Sequence, residues 1–160
     1  AAIGIEQLKK LPKIINKIQM LAKTLSDGIA HLSGLNVPFV DPNCTHVYYA
    51  FPLIVDLDKI KCNRKTLVNH LRKEDVPIGE GYQNIHLLPF FQNKKKLGVT
   101  KLYWSKINNT QNYKKGICPV AELLHSKNYM AFPICHYEFS KNDIINIIES
   151  FKKVWKRIAK

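Results

Sequence analysis

The residues best suited to bind a polar ligand lie close together in one short segment. Tyr82, Asn84 and His86 follow a glycine-spaced stretch that contains Gly79 and Gly81. Hydroxyl, amide and imidazole groups can each take part in hydrogen bonds, so this segment could bind hydroxyl groups or a phosphate. The alternative is a structured loop in which the same side chains satisfy backbone groups. The two glycines indicate a bend rather than a phosphate-binding loop.

A second pair of candidates lies earlier in the chain. The residues from Val47 to Val55 are rich in aromatic and β-branched types, which predicts a strand. Because side chains alternate across a strand, His46 and Tyr48 are expected to share one face. They could line a binding cleft, or they could pack against a neighbouring helix.

The positive charge is concentrated in one stretch. The chain has 160 residues and a net charge of +13, and no Asp or Glu occurs between Gly81 and Ala121. Lys94, Lys95 and Lys96 lie in this interval. Such a run is most often a solvated loop, and the alternative is that it attracts a phosphorylated substrate.

Tyr103 and Trp104 follow the lysine run and could stack on a base or a sugar, or they could equally anchor the loop to the core. A stand-alone basic module for nucleic acid is therefore an alternative function. Lysine dominates over arginine, however, and no nucleic-acid-binding motif is present, so nucleic acid is not the favoured partner.

The cysteines and the apolar segments exclude several classes. Cys44, Cys62, Cys118 and Cys135 form no closely spaced pair, which predicts free cytosolic thiols and no metal site. No apolar run is long enough to span a membrane, so no membrane partner is expected. The first residues lack the features of a signal peptide, and a cytoplasmic location is therefore expected.

Apolar spacing predicts the helices. An apolar stripe runs through residues 5–33, with Gly34 as a C-terminal cap and Pro12 dividing it into a short first helix and a longer second one. Asn63 suits the start of another helix. Ser140 opens a last helix as a capping residue.

The remaining segments predict a small sheet. Strands are expected near residues 36–40, 47–55, 76–79 and 129–134, and residues 92–117 are expected to form a long loop. Pro52 indicates an edge position or a bulge. The order of elements favours an α+β fold, a two-layer sandwich with a small, mostly antiparallel sheet and helices packed on one face.

The order of short motifs resembles the C-terminal small domain of the DegT/StrS-type sugar aminotransferases, which depend on pyridoxal phosphate (PLP) and share the aspartate-aminotransferase fold. Each motif is weak alone, and their shared order is what makes the resemblance specific. The matching segments are residues 1–11, His46 to Pro52, Arg64 to Leu71, Val76 to Gly79, Tyr82 to Phe91, Cys118 to Glu122, Phe132 to Pro133 and Ser140 to Val154.

The resemblance implies two regions. Residues 1–34 would be the inter-domain helix region, and residues 35–160 would be the small domain. The lysine that forms the Schiff base and the Asp that pairs with the pyridine nitrogen belong to a large domain that would precede Ala1. PLP is thus expected in a full-length protein and not in this chain, which alone should not transaminate.

The resemblance also implies a reaction and partners. A full-length homodimer would transfer an amino group from glutamate or glutamine to a keto-sugar. This sugar is expected to be linked to a nucleotide. This domain would supply dimer contacts and the substrate-side residues His46, Tyr48, Tyr82, Asn84 and His86. The alternative within the family is a catalytically dead partner of a full-length enzyme.

Overall fold

The computed structural model describes residues 2–92 and 113–160. The lysine run, Tyr103 and Trp104, and most of the expected long loop lie outside these ranges. The helices and strands are α1 (Ala2–Ile29), β1 (Leu35–Asn36), β2 (Phe51–Val55), α2 (Arg64–Arg72), β3 (Gly79–Glu80), α3 (Pro89–Gln92), α4 (Pro119–Leu123), β4 (Tyr129–Phe132) and α5 (Lys141–Ile158).

The four strands form one antiparallel sheet in the order β1-β2-β4-β3. Its centre is the pairing of β2 with β4, in which Phe51 lies opposite Phe132 and Leu53 lies opposite Met130. Pro52 occupies this inner strand, but β1 reaches only residues 54 and 55 of β2. The flank of β2 at Pro52 is therefore locally an edge, where a missing N–H donor is tolerated.

One face of the sheet carries the core. Phe51, Leu53 and Val55 of β2 are buried beside Met130 and Phe132 of β4. Helices α1, α2 and α5 supply most of the rest of this cluster. The expected α+β two-layer fold is confirmed.

Two helix starts follow the prediction. The side chain of Asn63 accepts a hydrogen bond from the backbone N–H of Thr66 at 2.9 Å. At α5, Ser140 and Asp143 form a reciprocal capping box. Both caps satisfy N–H groups that the helices themselves leave free.

Helix α1 differs from the prediction, because it is one helix rather than two. Pro12 lies inside it, on an exposed stretch. A proline removes the bond to the carbonyl four residues earlier, here that of Leu8, and water can satisfy a carbonyl on an exposed stretch. The helix ends at Ile29, and turns lead from there to Leu35.

The two halves of α1 have different surroundings. Leu21, Ala22, Leu25 and Ile29 are buried in the core. The apolar residues of the first half are exposed, among them Ile3, Ile5, Leu8, Leu11 and Ile14. Separately, none of the helices in the described ranges has the length and apolarity needed to cross a membrane.

This contrast predicts that replacing leucine by alanine lowers the free energy of unfolding by very different amounts in the two halves of α1. Leu25 is fully buried, whereas Leu8 is 65% exposed. Leu25→Ala should lower the free energy of unfolding by about 2–5 kcal/mol through the cavity it leaves. Leu8→Ala should change it by no more than about 0.5 kcal/mol.

Urea unfolding of both variants, followed by circular dichroism, measures the difference. The two substitutions have the same effect on helix propensity, so each is the control for the other. Similar losses of stability at both positions would contradict the burial pattern.

Candidate functional site

The segment with the predicted ligand-binding residues begins where β3 ends. Gly81 has a φ of +64°, and its backbone N–H donates to the carbonyl of Tyr129 at 3.0 Å. A Cβ atom at Gly81 would lie 2.7 Å from the carbonyl oxygen of His125 and 3.3 Å from an Arg64 nitrogen. The backbone of Gly81 therefore lies close to other parts of the protein itself, which agrees with the predicted bend.

Tyr82 is the most accessible of the predicted residues in this segment. Its side chain is 63% exposed, and its ring lies 6.1 Å from that of His125. The His125 ring also makes an edge contact with Tyr129. Burial is the main cause of the raised pKa of Tyr129, and the nearby Tyr82 raises it further. Because Tyr82 is exposed, it is accessible to a ligand at the rim of this aromatic group.

Asn84 lies just before a 3₁₀ turn, Ile85–Leu87, and makes no side-chain cap bond to it. Its Oδ1 atom is buried and has no hydrogen-bond partner. In the described ranges, the other buried side-chain atoms without a partner are Nε of Arg64 and Nδ1 of His125, whose residues approach Gly81. A buried polar atom without a partner costs about 1–3 kcal/mol, so these atoms mark this segment as one that a polar ligand or water could stabilise.

His86 is held by a carboxylate that the sequence analysis did not identify as functional. Its Nε2 atom lies 2.9 Å from Oε1 of Glu122, and both side chains are largely buried. An ionised carboxylate only accepts hydrogen bonds, so Nε2 is the donor. Any direct contact of His86 with a ligand would therefore involve Nδ1.

The carboxylate of Glu122 accepts several hydrogen bonds. The backbone N–H of Gly116 donates to both of its carboxylate oxygens, at 2.8 and 2.9 Å, and that of Cys118 donates to Oε1 at 3.3 Å. The bond from Gly116, helped by His86 and Cys118, lowers the pKa of Glu122 against the opposing effect of burial. Its signal in the sequence was its place in the Cys118 to Glu122 motif, and nothing there showed that it would meet His86.

A further contact joins the chain on either side of residues 93–112. The side-chain amide of Gln92 donates to the carbonyl of His86 at 2.6 Å and to that of Tyr113 at 2.7 Å. Together with the His86–Glu122 pair, it ties residues 86–92 to residues 113–122. We refer to these contacts as the Glu122 clamp.

His46 and Tyr48 do not share a strand face, and that prediction is wrong. Strand β2 begins only at Phe51. Tyr48 has a φ of +52°, and its backbone N–H donates to Nδ1 of His46 at 2.8 Å, so the two form a tight turn. This local hydrogen bond competes with strand geometry.

The turn packs against neighbouring elements. The ring of Tyr48 stacks on Phe51, and Gln19 of α1 donates to the carbonyl of His46 at 3.1 Å. Within the described ranges, no hydrogen bond or ring contact joins His46 or Tyr48 to Tyr82, Asn84 or His86. The five predicted site residues that the structure describes therefore form two groups that share no such contact.

No metal centre is evident in residues 2–92 and 113–160, where no three His, Cys, Asp or Glu side chains converge. The cysteines are free thiols.

Comparison with known proteins identifies the family. The sequence profile of the DegT/DnrJ/EryC1/StrS aminotransferase family matches residues 1–114. The chain belongs to this family. The match includes α1, the His46–Tyr48 turn and the segment with Tyr82, Asn84 and His86.

Two relatives match almost the whole of this chain. MJ1066, an uncharacterised protein of Methanocaldococcus jannaschii, is 27% identical over 96% of this chain and 35% of its own length. The spore coat polysaccharide biosynthesis protein SpsC of Bacillus subtilis is 24% identical over 98% of this chain and 36% of its own.

A solved structure shows the same fold. DesV of S. venezuelae, crystallised in complex with a ketimine intermediate, matches 98% of this chain and 36% of its own, with a TM-score of 0.70 and 19% identity. The chain thus spans about a third of the length of these similar proteins.

The Glu122 clamp predicts a local response to acid. Ionised Glu122 is stabilised in the folded chain, so its contribution is complete above the pKa of an unfolded glutamic acid, about 4.3, and is lost as the pH falls through the lower pKa of the folded chain. The NMR shift of the Gly116 amide proton should therefore titrate below about pH 4.3. Glu122→Gln should abolish this titration and lower the thermal midpoint at neutral pH.

The matched control is Glu149→Gln. Glu149 also has a lowered pKa, caused first by its hydrogen bond with Lys152, but it lies on the exposed surface of α5. Its loss should leave the Gly116 titration unchanged. A titration at Gly116 that persists in Glu122→Gln would show that another group causes it.

Proposed function

We propose that this chain is the small, substrate-side domain of a PLP-dependent sugar aminotransferase. The complete enzyme would transfer an amino group from glutamate or glutamine to a keto-sugar, which we propose is nucleotide-linked. The observation that carries this proposal is the family match over residues 1–114. The name of SpsC, a protein of polysaccharide biosynthesis, supports a sugar substrate.

The described residues do not by themselves fit the cofactor. Bound PLP supplies an electron sink that stabilises a carbanion, and it needs a lysine in a shielded site for its Schiff base. In residues 2–92 and 113–160 every lysine is exposed except Lys152, which is half-buried and paired with Glu149. We therefore propose that a large domain supplies the catalytic lysine and that this chain alone does not transaminate.

The exposed first half of α1 supports the proposal that a second domain packs against this chain. Its exposed apolar side chains continue the stripe that is buried further along the same helix. We propose that residues 1–34 form the inter-domain region, with this stripe packed on the large domain, and that residues 35–160 form the small domain. A cytoplasmic homodimer is part of the same proposal.

We propose different roles for the predicted site residues. Tyr82 would contact the substrate directly through its exposed hydroxyl, and Asn84 would do so through its unpartnered Oδ1. His86 would contact it through Nδ1, with Glu122 fixing the ring. His46 and Tyr48 would contribute to the cleft from their turn, and Lys94, Lys95 and Lys96 would attract the phosphates of a nucleotide-linked sugar.

The natural gene product tests the proposed domain organisation. The coding sequence before Ala1 should encode, in frame, a domain with a lysine suited to bind PLP, and the intact mass of the natural protein should include that domain. A natural product without such a domain would overturn this assignment and leave the catalytically dead partner as the alternative.

The role of Tyr82 is tested in the full-length enzyme. Tyr82→Phe removes one hydroxyl and should raise KM for the keto-sugar by roughly two- to tenfold with little change in kcat. The absorbance of bound PLP should stay unchanged. Tyr137→Phe is the control, since Tyr137 is similarly exposed, at 59% against 63%, and lies just before α5. Equal KM values for the Tyr82 variant and the parent enzyme would exclude a direct contact.

A further inference from the structure

A basic cavity lies at the start of α2, beside the bend at Gly81, and none of the five predicted substrate-side residues lines it. It has a volume of about 510 Å³, and its polar lining residues are Asn63, Arg64, Lys65, Glu80, Ser126 and Lys127. Lys65 comes from the first turn of α2, whereas Ser126 and Lys127 come from a π-helical turn, Leu124–Asn128, just before β4. Single π turns are frequent at functional sites.

Arg64 fixes the two walls of this cavity relative to each other. One of its terminal nitrogens donates to the carbonyl of His125, inside the π turn, at 2.7 Å, and to that of Tyr129, just after it, at 3.3 Å. The bare backbone of Gly81 lets this nitrogen approach closely. The positions of Lys65 and Lys127 therefore depend on two anchored elements rather than on a free loop.

The charges in the cavity are not balanced within the described ranges. Three cationic side chains face one carboxylate, that of Glu80. Lys65 and Lys127 take part in none of the ion pairs found in residues 2–92 and 113–160, whereas Lys59 and Lys153, for example, do. Two uncompensated positive charges thus converge on one concave surface.

The backbone at the start of α2 adds to the same potential. The Asn63 cap satisfies the N–H of Thr66, and the first turn contains no acidic residue. The N–H groups at the first two positions of a helix have no partner within the helix. The positive end of the helix dipole therefore lies at the same cavity as Arg64 and Lys65.

We propose that this cavity binds a phosphate group. Phosphate has more acceptor oxygens than a carboxylate and carries up to two negative charges, which matches an arginine, two lysines and free backbone donors with one opposing glutamate. The group could be free inorganic phosphate or the phosphate of a nucleotide. The proposal rests on this cavity alone and needs neither PLP nor amino transfer.

The test is an NMR titration of the folded 160-residue chain with inorganic phosphate at constant ionic strength. Saturable shifts are expected at the amides of Arg64, Lys65 and Lys127. The double variant Lys65→Gln/Lys127→Gln should weaken binding at least about tenfold, since it removes two charge-assisted contacts. Both lysines are exposed, so the rest of the spectrum should be unchanged.

The matched control removes two charges elsewhere. Lys10→Gln/Lys13→Gln has the same net charge as the cavity variant, and both residues lie on the exposed first half of α1. It should change the affinity less than about twofold, through long-range electrostatics only. Equal weakening in both double variants, or shifts spread over the surface without saturation, would overturn the proposal and show general attraction to a basic protein.

A second titration with uridine diphosphate distinguishes the source of the phosphate. Tighter binding than inorganic phosphate, at the same amides, indicates a nucleotide-borne group. Equal affinity at these amides indicates the free ion. Shifts only at Tyr82 and its neighbours would place the phosphate in the proposed substrate site and would contradict the cavity at α2.

Discussion

The pairing of β2 with β4 is the constraint on which the other elements depend. These strands are five and four residues long, and their partners β1 and β3 have two residues each. A sheet this small has little backbone hydrogen bonding of its own, so burial of one face must stabilise it. Phe51, Leu53, Met130 and Phe132 supply that face, and the helices cover it.

The same pairing positions the His46–Tyr48 turn and one wall of the basic cavity. The His46–Tyr48 turn leads into β2, and the π turn with Ser126 and Lys127 leads into β4. Arg64 then links the start of α2 to that π turn, and Gly81 passes close to both. A shift of β4 along β2 would displace the basic cavity and the aromatic group around His125 together.

The helix starts could be predicted from the sequence, because they depend on hydrogen bonds between residues that are close along the chain. Asn63 and Ser140 begin helices because their side chains satisfy N–H groups within three residues. Contacts between residues that are distant along the chain could not be predicted from the sequence alone. The pairing of His86 with Glu122, 36 residues away, depends on the folded path of the chain. Pro12 did not end α1, because its exposed position lets water replace the missing bond, and exposure is a property of the fold rather than of the local sequence.

The single helix α1 has a mechanical consequence. With 28 residues it is about 42 Å long, and only its second half is anchored in the core. The first half is about 20 Å long and extends from the core as a continuation of the same helix. Pro12 does not divide α1 into two helices, so the first half moves together with the anchored half. A rotation of about 5° around the anchored half would move Ala2 by roughly 2 Å. Small rearrangements where α1 meets α5 would therefore be amplified at the amino-terminal end of the helix.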